Sequence, residues 1–379
     1  MKPPLGSWVL HVFTLFAAVL PLSGQSPSGP VTPQPGAQVQ QPPQQPKIGV
    51  RVTLVNTPVT VRDAKGQMVD NLVANDFRIT DNGVAQKITH FDLGGDALSL
   101  VILVETSSRI APLLPEVRKT GILLTETVMA VNGEAAVIGF NDSVDKLQDF
   151  TANHDQVENA FAKLQQGTSG SKLYDAMAVG VEMLSGRPLP AADAPGRRRI
   201  MLILSEASDA GSDTRFGAVL RQAQLSNVTI YSVGLSTTRA ELQAAPKDTT
   251  PHPTPPGTFG LPPQPGTVQT PTTEDARYGS GNLMQAVIWA VQHVKDKITA
   301  NPLEVAAAGT GGAHLTTFKD RSVEKAIDEI GDELHSQYSV SYNPTGSNET
   351  GYHEIKVTVV KNGFKVRARP GYYLAPPEG

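Results

Sequence analysis

The sequence predicts an α/β protein in which a doubly wound, mainly parallel sheet is inserted into a small antiparallel β-sandwich formed by the chain's N- and C-terminal segments. Three observations carry that expectation. Continuously apolar runs at Leu98–Val104 and Ile200–Leu204 have the length and branching of strands buried on both faces. Runs of this kind alternate with helical patterns through the middle of the chain, the ordering of a parallel sheet covered on both sides. The two ends show instead period-two alternation broken by tight-turn residues, the mark of antiparallel strands.

Taken in order, the chain begins with Lys2, an apolar stretch from Trp8 to Leu20 and the small residues Ser23 and Gly24. That layout predicts a signal peptide over residues 1–24, too short for a comfortable membrane span, with a retained anchor as the alternative. Residues 25–47, rich in Pro and Gln, bury too little surface to fold and are expected to be a disordered tether. Residues 48–94 form the first half of the sandwich: Val50, Val52, Val59, Val61, Phe77, Ile79, Ile88 and Phe91 supply the apolar positions, and Asp63–Gly66 and Asp81–Gly83 the turns.

Residues 95–336 form the α/β domain. Strands are expected at Leu98–Val104, Glu134–Phe140, Lys146–Asp149, Arg199–Leu204, Val228–Val233 and His314–Phe318. Helices are expected at Leu113–Met129, Asp155–Leu164, Lys172–Leu184, Arg215–Ser226, Gly281–Ile298 and Val323–Leu334. A Pro/Thr-rich stretch, 246–273, reads as a disordered insertion leaving a strand on the rim where ligands bind. Residues 337–374 return to alternation, with Lys361-Asn362-Gly363 as a hairpin turn. A few strands cannot cover an apolar face alone, so the two terminal sets are expected to pair.

Composition narrows the function. The chain has 379 residues, a net charge of −4 and no cysteine, so it offers no basic field for nucleic acid and no thiolate for disulfides, iron–sulfur clusters or a cysteine–zinc site. Arg197-Arg198-Arg199 reads as a solvated strand entrance rather than an anion site. His154, His252, His293, His314, His335 and His353 lack ligand spacing and read as ordinary surface or core residues. Asp175, on a helix, reads as a solvated or capping charge. No Gly-x-Ser-x-Gly elbow is present, and Gly309-Thr310-Gly311-Gly312 reads as a loop entering a strand. No catalytic residue is assigned.

The two apolar runs each end in a polar knot, Glu105-Thr106-Ser107-Ser108-Arg109 and Ser205-Glu206-Ala207-Ser208-Asp209, and strand ends are where sites form in open α/β sheets. The first knot resembles the Asp-x-Ser-x-Ser motif of von Willebrand factor type A (VWFA) domains. There, a threonine from a Gly-rich loop and an aspartate after a later strand complete a magnesium site called MIDAS. Val59-Thr60-Val61-Arg62-Asp63-Ala64-Lys65-Gly66, Asn75-Asp76-Phe77-Arg78 and Val366-Arg367-Ala368-Arg369-Pro370-Gly371-Tyr372-Tyr373 are similar to the flanks of a VWFA-related family common in Acidobacteria.

The resemblance implies a VWA/Rossmann-like fold and a binding rim of Glu105, Ser107, Arg109, Thr168, Ser171 and Glu206. Only Ser107 keeps the family's residue type. Glutamate replaces aspartate at Glu105 and Glu206, and the threonine position falls on Thr168 by its preceding glycine or on Ser171 by alignment of Leu173-Tyr174-Asp175-Ala176. Arg109, standing where the second serine belongs, would repel a divalent ion and is expected to pair with Glu105 or Glu206 instead. The site is therefore expected to be a degenerate MIDAS without a cofactor, with magnesium on Glu105, Ser107, Thr168 and Glu206 as the alternative and Asp142, Asp209 and Asp213 as surface charges. The expected function is a secreted, periplasmic or cell-envelope, non-enzymatic adhesion-type module that binds a protein. The alternatives are an envelope scaffold with an inert rim and a magnesium-dependent binder.

Overall fold

A computed structural model describes residues 54–94, 97–129, 132–189, 197–235, 287–288, 301–317, 322–345 and 350–374. The signal segment 1–24, the tether 25–47 and the insertion 246–273 lie outside these residues, as does the helix expected at Gly281–Ile298 apart from helical residues 287–288.

The chain enters through four strands, β1 (Val55–Arg62), β2 (Phe77–Asp81), β3 (Val84–Gln86) and β4 (Ile88–Leu93). It ends in four more, β11 (Tyr338–Tyr342), β12 (Gly351–Val359), β13 (Lys365–Ala368) and β14 (Gly371–Leu374). These make two four-stranded sheets of order β13-β1-β11-β4 and β14-β12-β2-β3, antiparallel throughout, each mixing strands from both ends of the chain.

Alternation dictates the packing. Val55, Val59 and Val61 of β1 meet Phe77 and Ile79 of β2, Tyr338, Val340 and Tyr342 of β11, Ile355 and Tyr372 in one buried cluster. The Phe77 ring lies 5.0 Å from that of Tyr338 and 5.5 Å from that of Phe91. The turn joining β2 to β3 holds Asn82 at φ 46° and Gly83 at φ 81°, two successive left-handed residues that match the right-handed twist of the strands they join.

Between the two terminal sets lies a six-stranded sheet of β5 (Ala97–Glu105), β6 (Glu134–Phe140), β7 (Val144–Thr151), β8 (Arg197–Ser205), β9 (Val228–Gly234) and β10 (His314–Thr316). Its order is β10-β9-β8-β5-β6-β7, parallel except for β7. The chain moves outward from β5 through β6 to β7, then returns to lay β8 on the other side of β5. The order therefore reverses between β5 and β8, and a crevice opens beyond the carboxyl ends of strands at such a reversal.

Helices cover both faces. On one side, Leu98, Leu100, Ile102 and Val104 of β5 pack with α1 (Leu114–Leu123), α2 (His154–Ala162) and α6 (Val323–Ser336). On the other, Val101 and Leu103 pack with α3 (Leu173–Ser185), α4 (Phe216–Leu225) and α5 (Pro302–Thr310). The run expected as one helix over Leu113–Met129 is α1 followed by a π-helical turn, Leu124–Met129.

Two readings are corrected. Gly309 and Thr310 are the last residues of α5 rather than a loop, and Gly311-Gly312 make the turn that leads to β10. Asn301 accepts hydrogen bonds from Leu303 N and Glu304 N, Pro302 opens the first turn, and Gly311, at φ 85°, ends the helix. Leu303, Val305, Ala306, Ala307, Gly309 and Thr310 are all buried and Glu304 is the one exposed residue of the helix, too little for a 3.6-residue period to reveal it. A Cβ on Gly312 would come within 1.9 Å of Ile230 O, so only glycine lets the chain turn so close to β9.

Arg197-Arg198-Arg199 is not a solvated entrance either. These residues lie within β8 and spend their donors on protein groups: Arg197 on Leu98 O, Asn132 O and Ser99 Oγ, Arg198 on Leu334 O and Gln337 Oε1, and Arg199 on Arg187 O and Ser226 O. Guanidinium stems cover apolar surface while their forks satisfy carbonyls at the strand's start. Burial draws the Arg199 pKa down from its ordinary value.

Candidate functional site

The reversal between β5 and β8 brings the two polar knots together. Glu105, the last residue of β5, is fully buried, and its carboxylate accepts four hydrogen bonds. Oε1 takes Ser107 Oγ at 2.6 Å and Arg109 Nη2 at 3.2 Å, and Oε2 takes Ser205 Oγ at 2.7 Å and Glu206 N at 2.9 Å. Arg109 then reaches over to the second knot, with Nε 3.3 Å from Glu206 Oε2 and Nη1 donating to Ser208 Oγ at 3.1 Å. The ion pair expected from the sequence is present, and Arg109 joins both glutamates rather than one. Its side chain stays 32% exposed, against 10% for Glu206.

The backbone is shaped to allow this. Ala207 sits at φ 64°, a left-handed conformation that costs a non-glycine residue about 1–2 kcal/mol. Ser205 Oγ steadies the turn by accepting from Ala207 N at 3.2 Å while donating to Glu105. Strain of this kind persists only where surrounding contacts fix the chain.

The two candidates for the hydroxyl position are joined to different loops. Thr168 touches the first knot through its backbone, accepting from Ser108 N at 2.8 Å, while its exposed side chain donates to Asn141 Oδ1 at 3.2 Å. Ser171 meets Ala210, the residue directly after the second knot: its N–H and carbonyl pair there in an isolated bridge, and its buried Oγ has no hydrogen-bond partner among the described residues. Neither side chain is among the four donors to Glu105.

Asn141, which the sequence reading missed, joins these loops. Its Nδ2 donates to Thr106 Oγ1 at 3.0 Å, its Oδ1 accepts from Thr168, and its carbonyl accepts from Lys172 N at 2.8 Å. The available signal was an asparagine directly after the strand Glu134–Phe140 and two residues before Ser143, the spacing of a turn closed by a side-chain amide; Ser143 N donates to Asn141 Oδ1 at 3.3 Å.

The surrounding acids have structural partners. Asp209 accepts from Tyr174 N at 3.1 Å and Ser212 Oγ at 2.6 Å, and Ser212 Oγ in turn accepts from Asp175 N, so the loop after β8 caps the start of α3. Burial, and next the Asp209 charge, push the Tyr174 phenol up to about 12. Asp175 accepts from Asp213 N and Thr214 N at 3.2 and 2.9 Å and pairs with Lys172. Its burial alone would raise the carboxyl's pKa, but the hydrogen bonds from Thr214 and Asp213, with Lys172, outweigh that and hold it below 3.8. Asp175 is thus a tie between loop and helix rather than a solvated charge. Asp213 is exposed, as is Asp142.

Magnesium requires oxygen ligands at about 2.0–2.1 Å in near-octahedral array. Both oxygens of Glu105 are engaged by donors, and a guanidinium spans the space between the two glutamates, a donor set that does not fit the ion. Among the described residues no group of three or more histidines, aspartates or glutamates is arranged to hold a metal. No helix among them is long and apolar enough to cross a membrane.

No family model matches the chain, and no curated protein matches it. Solved structures similar to it include the conserved hypothetical protein BatB from Bacteroides thetaiotaomicron, at 12% identity over 62% of this chain and 98% of that one, with a TM-score of 0.39. An aerotolerance-related membrane protein from Bacteroides fragilis superposes over the same shares at 10% identity and a TM-score of 0.38. The vWF domain of the type V pili tip protein Mfa5 from Porphyromonas gingivalis matches 29% of this chain and 38% of that one, at 12% identity and a TM-score of 0.25. Superpositions this loose carry no functional argument, and the sheet order and rim geometry stand in their place.

Proposed function

We propose that this chain is a VWFA-like module of the cell envelope or the secreted fraction that holds a protein partner on the carboxyl rim of its parallel sheet without magnesium. In this reading the α/β unit is inserted into a sandwich made of the two antiparallel sheets, and the module is not an enzyme.

The observation that carries the reading is Arg109, paired with both Glu105 and Glu206 at the point where the strand order reverses. In a metal-dependent rim the cation neutralises buried carboxylates and offers an open position to a partner's acid. Here a guanidinium supplies the neutralising charge, and its fork is already spent on Glu105 and Ser208. Two carboxylates share the one arginine. Ser107, Ser205 and Ser208 hold the polar groups in place, and the partners found at this rim among the described residues are hydroxyls, amides and the guanidinium, with no histidine to act as a base.

Co-purification from the envelope or extracellular fraction, with and without a chelator, tests the proposal. Capture of a partner should survive chelation and be lost in Glu206→Arg, whose altered side chain lies on the rim. Chelator-sensitive capture would support a magnesium-dependent binder instead, and capture unaffected by Glu206→Arg would point to a scaffold with an inert rim.

A further inference from the structure

Two ionisable side chains buried outside the rim draw their partners across the same boundary, that between the α/β unit and the antiparallel sheets. Glu333, on α6, is 4% exposed. Tyr231 of β9 donates to it from within the α/β unit at 2.9 Å, but its counter-charges come from the sheets: Arg62 of β1, with Nη2 at 3.4 Å, and Arg367 of β13. Arg369, between β13 and β14, is the reciprocal case at 3% exposed. It donates to Gly371 O and Asn56 O on its own side, each at 3.1 Å, and across the boundary to Gln224 O at 3.3 Å and Asn227 Oδ1 at 3.1 Å.

Gln337, at the joint between α6 and β11, closes the network. Its amide donates to Tyr231 Oη at 3.0 Å and Thr60 Oγ1 at 3.2 Å while its carbonyl oxygen accepts from Arg198 at 2.8 Å. Burial draws the Arg369 pKa down to about 10, which leaves it charged at neutral pH.

A buried ion pair adds little net stability over well-packed apolar groups, yet half of one is expensive to leave. That asymmetry makes such pairs devices for fixing one arrangement. If the sheets shifted on the α/β unit, Glu333 would lose both arginines and Arg369 would lose two of its four acceptors. The motif Val366–Tyr373, which the proposed function does not use, is divided between these tasks. Val366 and Ala368 pack against the core of the sheets, Arg367 and Arg369 cross the boundary, Tyr372 Oη donates to Asp81 at 2.9 Å, and Tyr373 lies 4.1 Å beneath the Arg221 guanidinium of α4.

We infer that Glu333 with Arg62 and Arg367, and Arg369 with Gln224 and Asn227, form a register lock that makes the antiparallel sheets and the α/β unit a single cooperative folding unit. The inference is independent of what the rim binds. It implies that the α/β unit is not separable: expressed alone, it would carry Glu333 without either arginine.

Hydrogen exchange on the full chain tests the lock. In the unaltered protein the slowest amides of β1 and β13 should open together with those of β8 and β9. In Glu333→Gln combined with Arg369→Gln, amides of β1 and β13 should exchange at least tenfold faster than those of β9, the two sets having parted. Arg367→Met, whose side chain is partly exposed and whose loss is milder, should give the same separation at roughly severalfold, which preserves the test if the double variant does not fold. Separate opening of the two sets in the unaltered protein, or equal acceleration of both in the variants, would overturn the inference.

Discussion

The rim and the boundary are both built on a buried glutamate facing arginine, but they satisfy it from different distances along the chain. Glu105 draws its four hydrogen bonds from Ser107 and Arg109 in its own knot and from Ser205 and Glu206 at the end of the adjacent strand. Glu333 draws on Arg62, 271 residues earlier, and on Arg367 in a separate strand. The rim sets two carboxylates against one arginine that stays a third exposed; the boundary sets one buried carboxylate against two arginines, 41% and 40% exposed. The first arrangement leaves charged groups within reach of a partner. The second commits its one carboxylate, buried, to holding two parts of the fold together.

The largest effect should come from the boundary. Arg62→Met combined with Arg367→Met leaves the buried Glu333 carboxylate without either counter-charge, and such a loss should cost about 3–5 kcal/mol in urea unfolding of the full chain. A cost near zero would mean that Tyr231 alone holds the Glu333 carboxylate, and the contrast with the rim would collapse.

Glu105→Gln comes next. It keeps the shape of the side chain but removes the charge, and its amide nitrogen must oppose donors on one side, so a loss of about 1.5–3 kcal/mol is expected by the same measurement. A larger loss than in the Arg62→Met, Arg367→Met variant would reverse the ranking of the two networks.

Arg109→Met should cost about 1 kcal/mol or less, because a third of the arginine is in water and the remaining donors to Glu105 stay in place. If it unfolds the protein, Arg109 is a keystone of the fold rather than a rim group.

These contrasts also explain what the sequence disclosed. Buried strands with β-branched residues, such as Leu98–Val104, announce themselves by composition, and the knots at their ends follow because parallel strands finish on one rim. The Arg109 pairing was legible because its charge sits four residues from Glu105, within the same turn. α5 escaped because burial on nearly every side, with Glu304 its one exposed residue, erases helical period, although Asn301-Pro302 and Gly311 mark its ends. Arg198 and Arg369 escaped for a different reason: a charged residue in sequence looks solvated, and only the folded chain supplies carbonyls from Leu334 and Gln224 to hold it. The choice between Thr168 and Ser171 could not be made from spacing because the loop Gly167–Lys172 contacts both the first knot and the residue directly after the second.

The smallest effect is one of pH. His314, whose Nδ1 lies 2.8 Å from Ser232 Oγ, has a pKa held below 6.5 by burial. The folded state thus favours the neutral ring and the unfolded state takes up the proton first, so this contribution is full above pH 6.5 and is lost as pH falls from there through the folded value. His314→Gln should flatten that part of the stability profile while leaving the rim's behaviour unchanged. An identical slope in the variant would assign the acid limb to other groups, including Asp175, whose lowered pKa contributes stability that is lost only as pH falls below 3.8.

Isothermal titration of magnesium and manganese into the full chain tests the metal-free rim most directly. The unaltered protein should give no saturable heat in the millimolar range, and Arg109→Ser combined with Glu105→Asp and Glu206→Asp should gain some. Saturable binding by the unaltered protein, abolished when Glu105 is replaced, would contradict the account.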